Sequence, residues 1–147
     1  AWDDWVSAAD DLMLAEGYHA HRHLLARADR MEERHATGIA KGGSIPAGRV
    51  VECRRIGLRA RERMAELLAA HGVLALPTMR AAPPRLGEVA ATTYLTVPFN
   101  LVGLPAVALP VPRLAGGFPA SLQLVGDWYV EESLLALAEL VQTAIVW

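Results

Sequence analysis

Two short apolar runs, each bounded by glycine and proline, constrain the fold of this chain more than any other feature. They occupy residues 106–109 and 121–125, within the stretch from 93 to 126. Apolar runs of this length with such punctuation are typical of β-strands that are buried on both faces. The glycine pair within 114–118 predicts a hairpin turn between them, because glycine adopts positive φ angles without steric cost.

Most of the remaining sequence is predicted to be helical. The clearest helix has Ser44 as its N-cap, Pro46 in its first turn and Gly72 just after its end. Its apolar residues recur at steps of three and four and are Val50, Cys53, Ile56, Ala60, Met64, Leu67 and Leu68. Weaker patterns predict helices over 6–25 and 27–34, with breaks at 37–38 and 41–43.

A third strand and a terminal helix complete the predicted order. The strand covers 73–76, an irregular loop covers 78–92, and an extended segment over 92–104 contains one helical turn near 99–102. The final helix covers 130–146 and begins with acidic residues, which the helix dipole favours. Its predicted buried residues are Leu134, Leu137, Ala138, Val141 and Ile145. The sequence therefore predicts an α/β fold with about three short strands covered by helices. Since a common sheet has about five or six strands, the chain is expected to be part of something larger or to assemble with a second copy.

Charge and composition exclude several classes of protein. The net charge of −2 offers no basic surface for nucleic acid or an anionic membrane. No apolar run reaches the roughly 20 residues that a membrane-spanning helix needs. The single cysteine, Cys53, excludes an internal disulfide and predicts a cytoplasmic location. The hydrophobic content of 53% allows either a large core or apolar surface that another part of a larger protein covers.

Several motifs, in order along the chain, resemble the C-terminal signature of the amidase signature hydrolases. They are Pro-Phe-Asn-Leu-Val-Gly-Leu-Pro-Ala at 98–106, a strand ending at Pro110, a Gly-rich turn, and Leu-Gln-Leu-Val-Gly at 122–126. Leu-Ala-Leu-Pro-Thr at 74–78 is similar to the family's strand ending in Pro-Thr. The resemblance covers roughly Gly38 to the C-terminus. It implies a partial amidase-signature fold, in which 1–147 form a single, incomplete domain that is helical over 1–71, strand and loop over 73–126 and helical again over 130–146.

The resemblance also implies a reaction, which is amide hydrolysis by a serine nucleophile in a Ser–Ser–Lys arrangement. In the family, the Gly/Ser-rich loop and the lysine lie upstream of the part matched here. The chain is therefore predicted to carry no catalytic residue, metal or cofactor and to be inactive alone. Its partner would be the remainder of the amidase domain or a second copy, and the parent's substrate would be a small-molecule amide. The alternative is a non-catalytic module that docks on a partner chain or self-associates.

Thr93 and Val97 are the predicted substrate-binding residues. In the family, the approach to the asparagine that matches Asn100 lines the acyl side of the substrate pocket. The position seven before it is acidic in members that hold glutamine's amino group, and here it is Thr93. This departure argues against glutamine-dependent tRNA amidation, because no carboxylate would pair with the ammonium. The alternative is that Thr93 and Val97 only fill an extended segment, while Asn100 hydrogen-bonds the local backbone.

Two further candidates are weighed against simpler interpretations. Lys41 and Ser44 invite comparison with the family's Gly/Ser loop, but Ile-Pro follows where glycines belong, so capping is the favoured role of Ser44. Cys53 lies on the apolar stripe and is interpreted as a small core residue.

A metal site is the third candidate. Glu16, His19 and His23 share one face of the first predicted helix at a spacing that suits metal ligands. Polar surroundings favour the alternative that these side chains are solvated.

Overall fold

The computed structural model describes residues 1–82, 84–85, 87, 93–112 and 120–145. The chain forms two compact units, Ala1–Ala60 (unit 1) and Arg61–Trp147 (unit 2). The division falls inside the longest helix, α3, which spans Ala47–His71.

Unit 1 is helical throughout its ordered elements. Helix α1 spans Trp2–His21, a 3₁₀ helix spans Arg22–Arg30, and α2 spans Glu33–Gly42. The bounds predicted as 6–25 and 27–34 are therefore wrong. Arg27 has non-helical angles (φ −128°, ψ 36°) inside the 3₁₀ segment, which interrupts the helical path where a new helix was expected to start.

The predicted break at 37–38 is also wrong, because Gly38 lies inside α2. A Cβ on Gly38 would approach the side chain of Leu14 to 3.9 Å, and one on Gly42 would overlap the Leu14 carbonyl group. A Cβ at Gly38 would thus make an ordinary contact, whereas the missing Cβ of Gly42 lets α2 pack directly against the backbone of α1. The break at 41–43 is confirmed, since α2 ends at Gly42.

Helix α3 confirms the predicted apolar stripe but corrects its N-cap. Cys53, Ala60, Met64 and Leu68 are all buried. Pro46 precedes the helix, and its carbonyl accepts hydrogen bonds from the N–H groups of Arg49 (2.9 Å) and Val50 (3.2 Å). Ser44 instead donates its hydroxyl to the Lys41 carbonyl at 2.7 Å, because it belongs to the turn that ends α2.

Gly72 ends α3 as predicted, and its substitution gives a direct test of that role. Its φ is +76°, and a Cβ there would meet nothing within 4 Å, so only backbone strain opposes a side chain. We expect Gly72→Ala to lower the free energy of unfolding by about 1–2 kcal/mol. The matched control is Gly48→Ala within the same helix, also with open space around it. This control should raise stability by up to about 1 kcal/mol in urea unfolding, and a destabilising control would contradict the argument.

Unit 2 contains a three-stranded antiparallel sheet in the order β1-β3-β2. The strands are β1 (Leu74–Pro77), β2 (Ala106–Val111) and β3 (Ala120–Val125). Leu124 lies opposite Ala75 of β1 and Val107 of β2. About three short strands with covering helices are thereby confirmed, while the predicted turn at 114–118 lies outside the described residues.

Burial on both faces holds for the central strand and is wrong for the edge strand β2. In β3, the three residues 123–125 are all buried. In β2, burial alternates, with Leu109 buried and Ala108 exposed. An edge strand has a neighbour on one side only, so fewer side chains surround it.

Unit 2 also contains the α-helices α4 and α5. Helix α5 spans Glu131–Ala144, and its Leu134 and Ala138 form a core cluster with Leu109 and Leu124 of the sheet. Helix α4 spans Val97–Val102 and follows a 3₁₀ helix at Thr93–Leu95. The predicted helical turn near 99–102 is therefore confirmed as part of α4, which stops at Gly103 (φ +71°), whereas the extended conformation predicted before it is wrong. In the described part of the chain, the helices lack the apolar length needed to cross a bilayer.

Candidate functional site

The predicted substrate-binding residues lie in residues 93–102, which we call the approach segment. Thr93 is exposed at the start of the 3₁₀ helix, and Val97 is half-buried as the first residue of α4. The Thr93 carbonyl accepts hydrogen bonds from the N–H (3.0 Å) and the hydroxyl (3.1 Å) of Thr96. The two predicted residues therefore flank one closed turn.

A buried glutamine ties the approach segment to the sheet. Gln123 in β3 is only 4% exposed, and its Nε2 donates to the Leu95 carbonyl at 3.2 Å. A buried amide needs such a partner, so this bond fixes the 3₁₀ helix against the central strand. Gln123 was missed as a functional residue in the sequence, although one amide between two leucines of an apolar strand is a usable signal.

The other end of the approach segment is held at the last residue of α4. The Val102 carbonyl accepts hydrogen bonds from Trp128 Nε1 (2.9 Å) and Arg61 Nη1 (3.3 Å). The Arg61 guanidinium also lies 4.1 Å from the centre of the Trp128 ring. A cation at this helix end complements the helix dipole, and the stacking fixes its position.

The loop after β1 also contacts the approach segment. Thr78 joins it to β3 through a hydroxyl–hydroxyl hydrogen bond with Ser121 (2.8 Å) and a backbone N–H donated to the Ser121 carbonyl (3.0 Å). Two residues later, the Arg80 guanidinium lies over the Tyr94 ring, 4.4 Å from its centre. A cation thus sits beside the residue that follows Thr93 in the chain.

Asn100 behaves differently from the sequence expectation. Its side chain is exposed and forms no hydrogen bond with any residue that the structure describes. Its backbone groups are engaged instead: the N–H of Asn100 donates to the Thr96 carbonyl at 3.4 Å, and its carbonyl accepts from the N–H of Gly103 at 3.2 Å. Within that part of the chain, the turn is held by backbone groups instead of the Asn100 amide.

Unit 1 has an open cleft of its own, with a volume of ≈ 430 Å³. Its lining residues are Asp3, Val6, Ser7, Asp10, Asp11, Met13, Leu14 and Lys41. Arg49 donates from Nε to the Asp11 carboxylate (2.7 Å) and from Nη2 to the Ser7 hydroxyl (2.9 Å). Burial and the neighbouring Asp11 raise the pKa of Asp10, while Lys41 opposes that shift. The acidic and basic side chains of this cleft neutralise one another between the helices, so we assign them a role in helix packing.

The two other sequence candidates are placed as follows. Helix α1 ends at His21, so His23 does not continue the helical face of Glu16, and Glu16 pairs with Arg54 at 3.7 Å. Over the described ranges, no three histidine, cysteine or acidic side chains are grouped as metal ligands. Cys53 is fully buried, and burial raises the pKa of its thiol, which keeps it protonated as a core residue.

Comparison with protein families gives one match over most of the chain. The family model described as Amidase matches residues 6–135. Among curated proteins, a glutamyl-tRNA(Gln) amidotransferase subunit of Neisseria meningitidis serogroup C is 39% identical over 77 residues. That match covers 48% of this chain and 16% of the relative. The corresponding protein of Archaeoglobus fulgidus is 44% identical over 71 residues, or 44% of this chain and 15% of the relative.

Solved structures share the fold. A crystal structure of an amidase superimposes with a TM-score of 0.86 at 22% identity, covering 96% of this chain and 36% of that one. Kluyveromyces lactis allophanate hydrolase gives a TM-score of 0.76 at 23% identity, covering 95% of this chain and 25% of that one. The chain therefore spans only about a third or less of the proteins it matches, and at these identities the structural likeness concerns the fold alone.

Proposed function

Because the chain belongs to the amidase family, we propose that it is the C-terminal portion of an amidase that hydrolyses a small-molecule amide through an acyl-enzyme. The observation that carries this proposal is the family match over residues 6–135, combined with coverage of only 36% of a solved amidase. In this proposal, 1–147 form a single, incomplete domain. The approach segment contributes part of the wall of the substrate pocket, with Thr93 and Val97 facing the acyl portion.

The nucleophile and the base belong to the remainder of the amidase domain in this proposal. Three of the chain's four serines already have partners: Ser7 bonds Arg49, Ser44 bonds the Lys41 carbonyl and Ser121 bonds Thr78. The fourth, Ser133, is exposed near the start of α5. A Ser–Ser–Lys mechanism needs two hydroxyls in line with an amine, and these bonds support placing that arrangement elsewhere.

Hydrolysis is favoured over amide transfer to tRNA. The curated relatives are amidotransferase subunits, yet Thr93 stands where the resemblance expects an acid in glutamine-binding members. A threonine hydroxyl gives no charge to hold glutamine's ammonium, so an uncharged or anionic acyl portion fits better. A cytoplasmic location is part of the proposal and is supported by a lone, buried, protonated cysteine.

An assay of amide hydrolysis tests whether this chain needs the rest of the domain for activity. We expect no hydrolysis of simple aliphatic and aromatic amides by the 147-residue chain, and turnover by the uninterrupted product of its reading frame. The Ser44→Ala variant of the longer product serves as the control and should keep its activity. Turnover by the chain alone that disappears in Ser44→Ala would overturn the proposal, as would an inactive longer product.

The second candidate is a non-catalytic module that docks on a partner chain or on itself. Exposed apolar side chains on α5, Leu135 (59%) and Leu140 (70%), favour a covered surface there. Light scattering distinguishes self-association from binding to the rest of the amidase domain. A stable dimer of the isolated chain supports self-association, whereas a monomer that binds the remaining amidase segment supports the first proposal.

A further inference from the structure

The stacked pair of Arg80 and Tyr94 is the feature of unit 2 that the proposed function leaves unused. The guanidinium carbon lies 4.4 Å from the ring centre. Stacking on an aromatic face holds a guanidinium plane in place while its N–H donors point outward along the plane. Arg80 is therefore an oriented cation beside the approach segment.

The described acidic residues form no ion pair with the Arg80 guanidinium. Across the described residues, the ion pairs of other arginines include Arg49–Asp11, Arg59–Glu52 and Arg63–Glu66, and none involves Arg80. Thr93, the neighbour of Tyr94, adds a hydroxyl-bearing side chain and no carboxylate. A fixed arginine with planar donors, and with no ion pair to a described carboxylate, is suited to bind a carboxylate in a bidentate manner.

We propose that Arg80 is a specificity residue that binds a carboxylate on the acyl portion of the substrate, which makes the substrate class the monoamides of dicarboxylic acids. This inference rests on the proposed function. Tyr94 holds the guanidinium in place, Gln123 fixes the turn that carries Tyr94, and the Thr78–Ser121 bonds fix the loop that carries Arg80. The reacting amide lies at the other end of the acyl chain, toward the catalytic groups of the remaining domain.

The first experiment measures the selectivity of the uninterrupted gene product. The probes are glutaric acid monoamide, the uncharged pentanamide and the cationic gamma-aminobutyramide. We expect kcat/KM to be highest for the anionic amide, and Arg80→Gln to lower that value about 10- to 100-fold with little change for pentanamide. Arg80→Lys should recover only part of the loss, because a lysine keeps the charge but lacks the planar pair of donors.

The matched control is Arg63→Gln, which removes an exposed arginine of unit 2 that pairs with Glu66 at 2.7 Å. This variant should leave the preference unchanged. Equal kcat/KM for anionic and uncharged amides, or an equal loss for both in Arg80→Gln, overturns the inference while leaving amide hydrolysis intact.

A second readout does not depend on turnover. In the 147-residue chain, glutarate should shift the Arg80 Nε–H resonance and the ring resonances of Tyr94, and n-butylammonium should not. Both shifts should vanish in Arg80→Gln and persist in Arg63→Gln. If glutarate leaves these resonances unmoved, the carboxylate site is wrong even where the longer product hydrolyses amides; if it moves them while no amide is hydrolysed, only the proposed reaction is wrong.

Discussion

Truncating Phe99 to alanine is expected to lower the free energy of unfolding by about 3–5 kcal/mol. Phe99 lies in α4, is 2% exposed and is among the largest fully buried side chains of the described residues. Its removal leaves a cavity that the short helix cannot fill, since Gly103 and the Val102 carbonyl contacts fix the helix end. The fluorescence of Trp128, which hydrogen-bonds that carbonyl, gives a local measurement during urea unfolding.

The control for Phe99 is a leucine whose side chain is mostly in water. Leu135→Ala, at 59% exposure, should change stability by less than about 0.5 kcal/mol. Phe99→Leu should fall between the two, because it retains most of the buried volume. A Phe99→Ala variant within about 1 kcal/mol of the parent would show that α4 is not packed as the structure has it.

Replacing Gly42 by alanine is the second large effect, and it acts on unit 1. The added Cβ would overlap the backbone carbonyl of Leu14 and approach Tyr18 Cβ to 2.9 Å. Backbone atoms cannot rotate away as a flexible side chain does, so α1 and α2 must separate. We expect a loss on the order of 3 kcal/mol, at the upper end of what overpacking does, measured by urea unfolding with Trp2 and Trp5 fluorescence and helical circular dichroism.

A glycine in the partner helix supplies the control for Gly42. Gly17 lies in α1, and a Cβ there would meet nothing within 4 Å. Gly17→Ala should therefore stabilise unit 1 by up to about 1 kcal/mol through helix propensity alone. If both variants raise stability, the close approach of the two helices is disproved.

The surroundings of the approach segment depend on contacts that join distant parts of the sequence. Arg80 and Tyr94 are 14 positions apart, and Gln123 reaches Leu95 from a strand 28 residues further on. Sequence spacing does not predict such pairs, because each joins residues from separate elements that meet only through tertiary packing. Thr93 and Val97 stay predictions made from the family resemblance, whereas the contacts of Arg80 and Gln123 near them could not be predicted from the sequence.

Local periodicity was sufficient for α3, α5 and the three strands, but not for the bounds of the helices before α3. The stripe of Cys53, Ala60, Met64 and Leu68 in α3, the Leu134 and Ala138 face of α5 and the Gly72 stop were all predicted, because each depends on residues within a few turns of one another. The three strands were predicted from their apolar runs for the same reason.

The sequence by itself determined the order of elements, the buried faces of α3 and α5 and the membership of a family, since these follow from short-range patterns and motifs. Only the tertiary structure decided that Gly38 continues a helix and that residues 93–95 and 97–98 are helical, and it placed Ser44 in the turn that ends α2. Ser44 bonds the Lys41 carbonyl, a local acceptor that competes with capping. For Gly38 and the 3₁₀ helix at 93–95, the neighbours come from elsewhere in the unit, Leu14 of α1 and Gln123 of β3. Such partners exist only once the chain has folded.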